Sequence, residues 1–211
     1  GKASAAPQDR GEALVVVDAI TDQHLVDMGK ASADMTLVTG GSGVALGLPA
    51  NFIAKGLMRA AAAPTRMQAP KGRAAIIAGS CSEATRGQVA KARAAGIASV
   101  EVDPFEVQKG QLSGERLAAW AKEQTAENPI LIYSSADPAS VRKVQDKLGR
   151  DEAGAMIERI FADTAKKLLA AGFTRLIVAG GETSGAVVNG LGVTALEIGP
   201  EIDPGVPWTR A

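Results

Sequence analysis

The chain has 211 residues, 46% of them hydrophobic and 22% charged, with 23 Lys plus Arg balancing 23 Asp plus Glu. That is enough apolar material for a core, in one large domain or two smaller ones. A 3% aromatic content and no basic stripe exclude a nucleic-acid surface built on charge and stacking. One cysteine, Cys81, excludes an internal disulfide or a cysteine-rich zinc cage, and one histidine, His24, leaves little for a histidine metal site or a Ser-His-Asp triad.

No apolar run approaches the roughly 20 residues that cross a bilayer. The opening GKASAAPQDR has no signal-peptide core, so a cytoplasmic protein without a membrane partner is expected. That opening, and the end at PGVPWTRA without a closing element, suggest a piece of something longer.

In chain order, LVVV (Leu14 to Val17) reads as a buried strand and Asp22 to Asp34 as a polar amphipathic helix carrying His24 on its surface. TLVT (Thr36 to Thr39) reads as a second strand, ending in GGSG. Arg59 to Gly72, RAAAAPTRMQAPKG, has two prolines, a glycine and no apolar period, which marks a linker. AAIIA (Ala74 to Ala78) is a strand running into GSCSEAT, where Ser82 caps a helix that Gly96 stops.

ASVEV (Ala98 to Val102) is another strand, and Ser113 starts a helix carrying Leu117, Trp120 and Gln124. ILIY (Ile130 to Tyr133) ends in SSADP, with Asp137 and Pro138 as N-cap and first-turn pair. The longest helix covers about Asp151 to Ala171. Its expected buried stripe is Met156, Ile157, Ile160, Phe161, Thr164, Leu168 and Leu169. RLIVA (Arg175 to Ala179) and TALEI (Thr194 to Ile198) are the last strands, separated by a short helix after the loop GGETSG. GPEIDPGVPW (Gly199 to Trp208) reads as a rigid extended surface crossing, or as a wall presenting Trp208 to a flat ligand, the crossing being preferred. Strands alternating with helices give an α/β fold, a mostly parallel sheet covered on both faces.

Ligands of such sheets bind at the carboxyl ends of strands. Four strands here end in small or hydroxyl-rich turns: Gly40 to Gly43, Gly79 to Ser82, Ser134 to Asp137, and Gly180 to Gly185. Glycines let backbone N–H groups approach a ligand, helix N-termini favour negative charge, and serine or threonine hydroxyls add donors. An anionic or phosphorylated ligand fits. GGETSG is the most informative turn, since a helix cap needs one hydroxyl and not a Glu-Thr-Ser set between glycines. Glu182 suits a ribose hydroxyl, a magnesium-bound water or loop orientation, but not direct phosphate contact. Cys81 reads as a small fitting side chain in preference to a reactive thiol. Neither the P-loop G-x-x-x-x-G-K-[ST] nor the dinucleotide G-x-G-x-x-G is found.

LVTGGSGVALGLPANF, IIAGSCSEATRGQV and VAGGETSGAVVNGLGV followed by IGPEIDPGVPW resemble the four-carbon acid sugar kinase family, which includes 3-oxo-tetronate 4-kinases and threonate and erythronate kinases. The resemblance runs from about Val15 to Trp208. It implies that residues 1–59 are the tail of a sugar-acid-binding domain, 60–72 a linker and 73–211 a nucleotide-binding domain. It places ATP, with Mg2+, on Ser80 or Ser82 and on Gly180, Gly181, Glu182, Thr183, Ser184 and Gly185. The sugar acid falls to Gly40, Gly41, Ser42 and Gly43. The family's opening Asp-Asp-Leu-Thr-Gly motif is not among these residues, nor is the glycine-rich segment that follows its proline-rich stretch. The general base is expected on an aspartate outside this chain, so no catalytic residue is named. A non-catalytic nucleotide-binding module is the alternative. Weaker still is a nicotinamide- or S-adenosylmethionine-dependent enzyme. A homo-oligomer is compatible with all three.

Overall fold

The computed structural model describes residues 16–60, 67–68, 70–134, 146–147, 149–203 and 205–211. They fall into two compact units, Gly1–Met67 with Ile198–Thr209, and Gln68–Glu197 with Arg210–Ala211.

The second unit is built on four parallel strands: β1 (Arg73–Ala78), β2 (Ser99–Glu101), β3 (Ile130–Tyr133) and β4 (Phe173–Ala179), in the order β2-β3-β1-β4. The order has a physical consequence. The chain leaves β1 toward β2 and leaves β3 in the opposite direction toward β4, and right-handed crossovers then put the two connections on opposite faces. Helix α3 (Glu83–Ala94) covers one face, where Val89 packs with Ala78, Leu131 and Tyr133. Helices α5 (Gly114–Glu123) and α6 (Arg150–Ala170) supply Leu117, Ala121, Ile160, Phe161 and Leu168 to the other, against Ala75, Ile77, Ile130 and Ile132. The alternation along β1 and β3 is the two-residue period of a sheet buried on both sides.

Sequence punctuation sets these elements. Ser82 and Ser113 cap α3 and α5 by accepting from the N–H groups of Thr85 and Arg116. Gly96 and Gly172 follow α3 and α6 at φ 79° and 88°, as a left-handed stop requires. A short helix not anticipated from sequence, α4 (Pro104–Gln108), starts on Asp103, whose Oδ1 accepts from Phe105 N–H at 2.8 Å. The α6 stripe holds at Ile160, Phe161, Thr164 and Leu168. It fails at Leu169, which is exposed because it lies one residue, about 100°, round the helix from Leu168. The Thr164 hydroxyl donates to Ile160 C=O at 2.6 Å, so this buried polar group is satisfied within its own helix.

In the first unit, α1 (Asp22–Ala31) packs on a 3₁₀ segment (Ser42–Gly47) that leads into α2 (Leu48–Ala54). Backbone meets backbone here: a Cβ on Gly29 would lie 2.3 Å from Gly47 Cα. Asn51 Nδ2 donates to Gly29 C=O at 2.7 Å, and Lys55 donates to Ala33 C=O and Asp34. The hydrogen bond and charge of Lys55 hold the Asp34 carboxyl below its ordinary range.

Three expectations fail. Val16, Val17 and Thr36 to Thr39 are not strands; Val16 and Leu37 are 97% and 81% exposed. An extended segment becomes a strand only through a hydrogen-bonded neighbour, and among the described residues these have none. Leu14 and Val15 of that first expected strand lie outside the described residues, as do 61–66 and 69 of the expected linker, Ser135 to Asp137 and Pro138. TALEI is also displaced: the strand begins at Glu197, because among the described residues no strand pairs with Thr194 to Leu196. Finally, Gly199 to Trp208 is a hairpin of β5 (Glu197–Asp203) and β6 (Val206–Arg210), a separate two-stranded sheet, and not a crossing. Gly205, at φ 77°, makes the turn, with its N–H donating to Glu201 Oε1 at 2.6 Å. Arg210 and Glu197 pair across it.

Candidate nucleotide site at the ends of β1 and β4

Strands β1 and β4 are neighbours in register, Ala78 opposite Ala179, so their carboxyl ends stop at the same edge. Gly79 N–H extends the pairing to Ala179 C=O at 3.1 Å, while Ser134 N–H reaches Ala78 C=O at 2.9 Å from the other side. The turns after β1, β3 and β4 therefore leave one line.

The first and last of these turns are in contact. A Cβ on Gly180 would lie 3.3 Å from both Cβ and N of Ser80, and 3.1 Å from Thr183 Oγ1. A Cβ on Gly79 would lie 2.2 Å from Thr183 Oγ1 and 3.0 Å from Phe161 Cε2. Gly180 has φ 121° and ψ 133°, a conformation that only glycine adopts without strain. The two glycines let residues about a hundred apart in sequence touch.

GGETSG is not a loop ahead of a helix. It is the start of one: Gly180 is the N-cap of α7 (Gly181–Gly190), and Ser184 N–H closes the first turn on Gly180 C=O at 2.8 Å. The physical reason is that Glu, Thr and Ser are all tolerated in a first turn, where unpaired N–H groups and the helix dipole favour acidic and hydroxylic neighbours. The amides of Gly181, Glu182 and Thr183 precede that first closure and have no acceptor within the helix. No side chain caps Gly180. Glu182 and Gly181 are exposed, Ser184 is half-buried, and Thr183 is 5% exposed against Gly79.

The GSCS turn differs in kind. Ser82 Oγ accepts from Thr85 N–H at 3.2 Å and bonds the Thr85 hydroxyl at 3.0 Å, so it is committed to capping α3. Ser80 Oγ accepts from Ser82 N–H at 3.2 Å and lies against Gly180. Cys81 between them is exposed. The structure thus brings Ser80 and Ser82 together with Gly180 to Gly185. Gly40 to Gly43 belong to the other unit, where Gly41 is the N-cap of the 3₁₀ segment. Gly79 was within the expected turn; its close approach to Thr183 and Phe161 had no signal in the sequence.

Among the described residues no cluster of three or more His, Cys, Asp or Glu side chains could hold a metal, and no helix is long and apolar enough to cross a membrane. This edge presents two helix N-termini, and the first amides of α7 have no acceptor within their own helix, a chemistry that suits an anion.

Comparison with known proteins gives this edge a context. The family described as "Nucleotide-binding C-terminal domain" matches residues 75–211, which contain both turns. A 3-oxo-tetronate kinase of Cupriavidus necator is 42% identical over 97% of this chain and 47% of its own length. One from Burkholderia multivorans is 44% identical over 94% of this chain and 46% of its own. A crystal structure from Salmonella typhimurium LT2 superposes with a TM-score of 0.71 at 38% identity, covering 97% of this chain and 48% of that one. The chain spans about half the length of the curated relatives it matches. With the family's match covering well over half of the residues, the chain belongs to the nucleotide-binding C-terminal domain family.

Proposed function

We propose that this chain is the nucleotide-holding part of an ATP-dependent kinase that phosphorylates the terminal (4-) hydroxyl of a four-carbon sugar acid such as 3-oxo-tetronate, threonate or erythronate. The observation that carries the reading is the contact between the Gly79–Ser82 and Gly180–Gly185 turns at neighbouring strand ends. The names of the relatives supply the substrate class.

In this reading the free amides of Gly181, Glu182 and Thr183 donate to phosphate oxygens, with the dipoles of α3 and α7 adding positive potential at the same point. Ser80 or Ser82 adds a hydroxyl at this edge, Ser80 Oγ accepting from Ser82 N–H and Ser82 Oγ capping α3. Magnesium would come with the nucleotide and would offset charge that develops in transfer. Glu182, exposed in the first turn of α7, faces a ribose hydroxyl or a metal-bound water. Gly40 to Gly43 take the sugar acid, within a division of 1–59, 60–72 and 73–211. A homo-oligomer accompanies this reading, supported by the exposed Ile198, Ile202, Val206 and Trp208 of the hairpin.

Calorimetry with ATP and magnesium on the unaltered protein, Gly181→Val and Ser184→Ala tests the site. Weaker binding in the variants is expected, and equal affinity in all three removes the α7 turn from the site. Kinase assays over a panel of tetronates and 3-oxo-tetronates then separate transfer from a non-catalytic module, which binds ATP without turnover.

A further inference from the structure

Two described side chains bury an Nε without a hydrogen-bond partner, Arg73 and Arg86. Arg73 is accounted for. It sits at the start of β1, far from the site edge, donates from Nη2 to Gln124 C=O at 2.8 Å, and lies with Cζ 4.3 Å from the Phe173 ring centroid. Arg86 has no such support: its backbone N–H donates to Ser82 C=O at 3.0 Å, but among the described residues its side chain has no hydrogen bond, ion pair or ring contact.

Its position in the fold is informative. Ser82, Arg86, Val89 and Arg93 follow one another at steps of four, three and four, so they share one side of α3. That side is fixed at two points below Arg86. Val89 packs on Ala78, Leu131 and Tyr133, and Arg93 Cζ lies 5.5 Å from the Tyr133 ring centroid. Arg86 stands about 10 Å closer to the helix start than Arg93, at 1.5 Å per residue. It is thus one turn behind the Ser82 cap, above the carboxyl ends of β1 and β3. A guanidinium with a buried N–H and no acceptor is costly, and removing that cost takes an oxygen anion.

Resting on the nucleotide reading above, we propose that Arg86 is the cationic contact for the polyphosphate held by the Gly79–Ser82 and Gly180–Gly185 turns. The turns offer only partial charges from amides and hydroxyls. Arg86 adds a full charge, and its fork geometry suits two phosphate oxygens at once. It is a binding residue for the polyphosphate and takes no part in proton transfer.

The test compares the purified protein with Arg86→Ala and Arg86→Lys, titrated with magnesium ATP, magnesium ADP and adenosine at several salt concentrations. Thermal melts of each accompany the titrations. Arg86→Ala is expected to weaken ATP and ADP by about tenfold or more, the scale of a charge-assisted hydrogen bond, and to leave adenosine unchanged. Arg86→Lys is expected to recover part of the loss, and the salt dependence of ATP binding to flatten in Arg86→Ala. Unchanged ATP affinity in Arg86→Ala overturns the inference while leaving the nucleotide reading standing, as does an equal loss for ATP and adenosine. If Arg86→Ala fails to fold, ATP affinity of Arg86→Lys equal to that of the unaltered protein at every salt concentration overturns it. A protein that binds ATP in no form overturns the nucleotide reading itself.

Discussion

Replacing Gly180 and Gly181 by alanine, one at a time, separates fold from site with the same added methyl group. At Gly180 the backbone has φ 121° and ψ 133°, and a Cβ would meet Thr183 Oγ1 at 3.1 Å and Ser80 at 3.3 Å. An alanine forced into that region costs about 1–3 kcal/mol of backbone strain, before any crowding. At Gly181 the backbone is helical and a Cβ meets nothing within 4 Å. There alanine is neutral or gains up to about 1 kcal/mol over glycine. For a chain of this size each kcal/mol moves the melting temperature by roughly 2–4 °C. Gly180→Ala is therefore expected to melt several degrees lower than Gly181→Ala. Urea unfolding followed by circular dichroism measures the free-energy difference directly. Binding should rank otherwise: Gly181→Ala keeps its stability but loses ATP affinity, because its methyl occupies the open space in front of the free amides. Equal stabilities in the two variants would refute the backbone argument, and full ATP affinity in Gly181→Ala would refute the amide cradle.

Three further outcomes follow from particular contacts. Tyr133 is 5% exposed, and burial first, then the neighbouring Glu101 carboxylate, push its hydroxyl above its ordinary value of 10.0. A raised folded-state value contributes stability that is whole below pH 10 and is lost as pH rises through the folded value. The unfolding midpoint in urea should thus fall from pH 9 to pH 11 more steeply in the unaltered protein than in Tyr133→Phe; parallel falls would contradict this. Gly29→Ala places a methyl 2.3–2.9 Å from Gly47 backbone atoms, none of which is a flexible side chain. Proteolysis should then cut within residues 16–60 faster than in the unaltered protein while residues 73–134 and 150–190 stay protected, and equal cutting rates would show that α1 does not need that close approach. Cys81, the sole and exposed cysteine, should react with a thiol reagent in the native protein, and ATP should slow that reaction. An unchanged rate at saturating ATP would place the nucleotide away from the β1 turn.

Local chemistry was readable in the residues themselves. Ser82 and Ser113 as caps, Gly96 and Gly172 as stops, and ILIY as a strand buried on all sides each depend on neighbours within a few positions. A hydroxyl finds its N–H three residues on, and a left-handed stop needs no partner. The α/β class followed from the same alternation. Strandness without a partner was not readable: TLVT has the composition of a strand and is not one, while GPEIDPGVPW, with three prolines, supplies the turn and most of both strands of a hairpin. A strand is a relation between two segments, and composition describes only one of them.

The site divides in the same way. That Gly79 to Ser82 and Gly180 to Gly185 are candidate ligand turns could be read from their glycines and hydroxyls. That they touch was decided by β1 and β4 becoming neighbours, a pairing of segments about a hundred residues apart, and by Gly79 and Gly180 lacking a Cβ where Thr183 and Ser80 sit. The hydrogen bond that Ser80 Oγ accepts from Ser82 N–H, and the buried Nε of Arg86, also required the folded chain. Both are facts about which polar atoms already have partners, and partners across a fold are assigned by packing, not by sequence order.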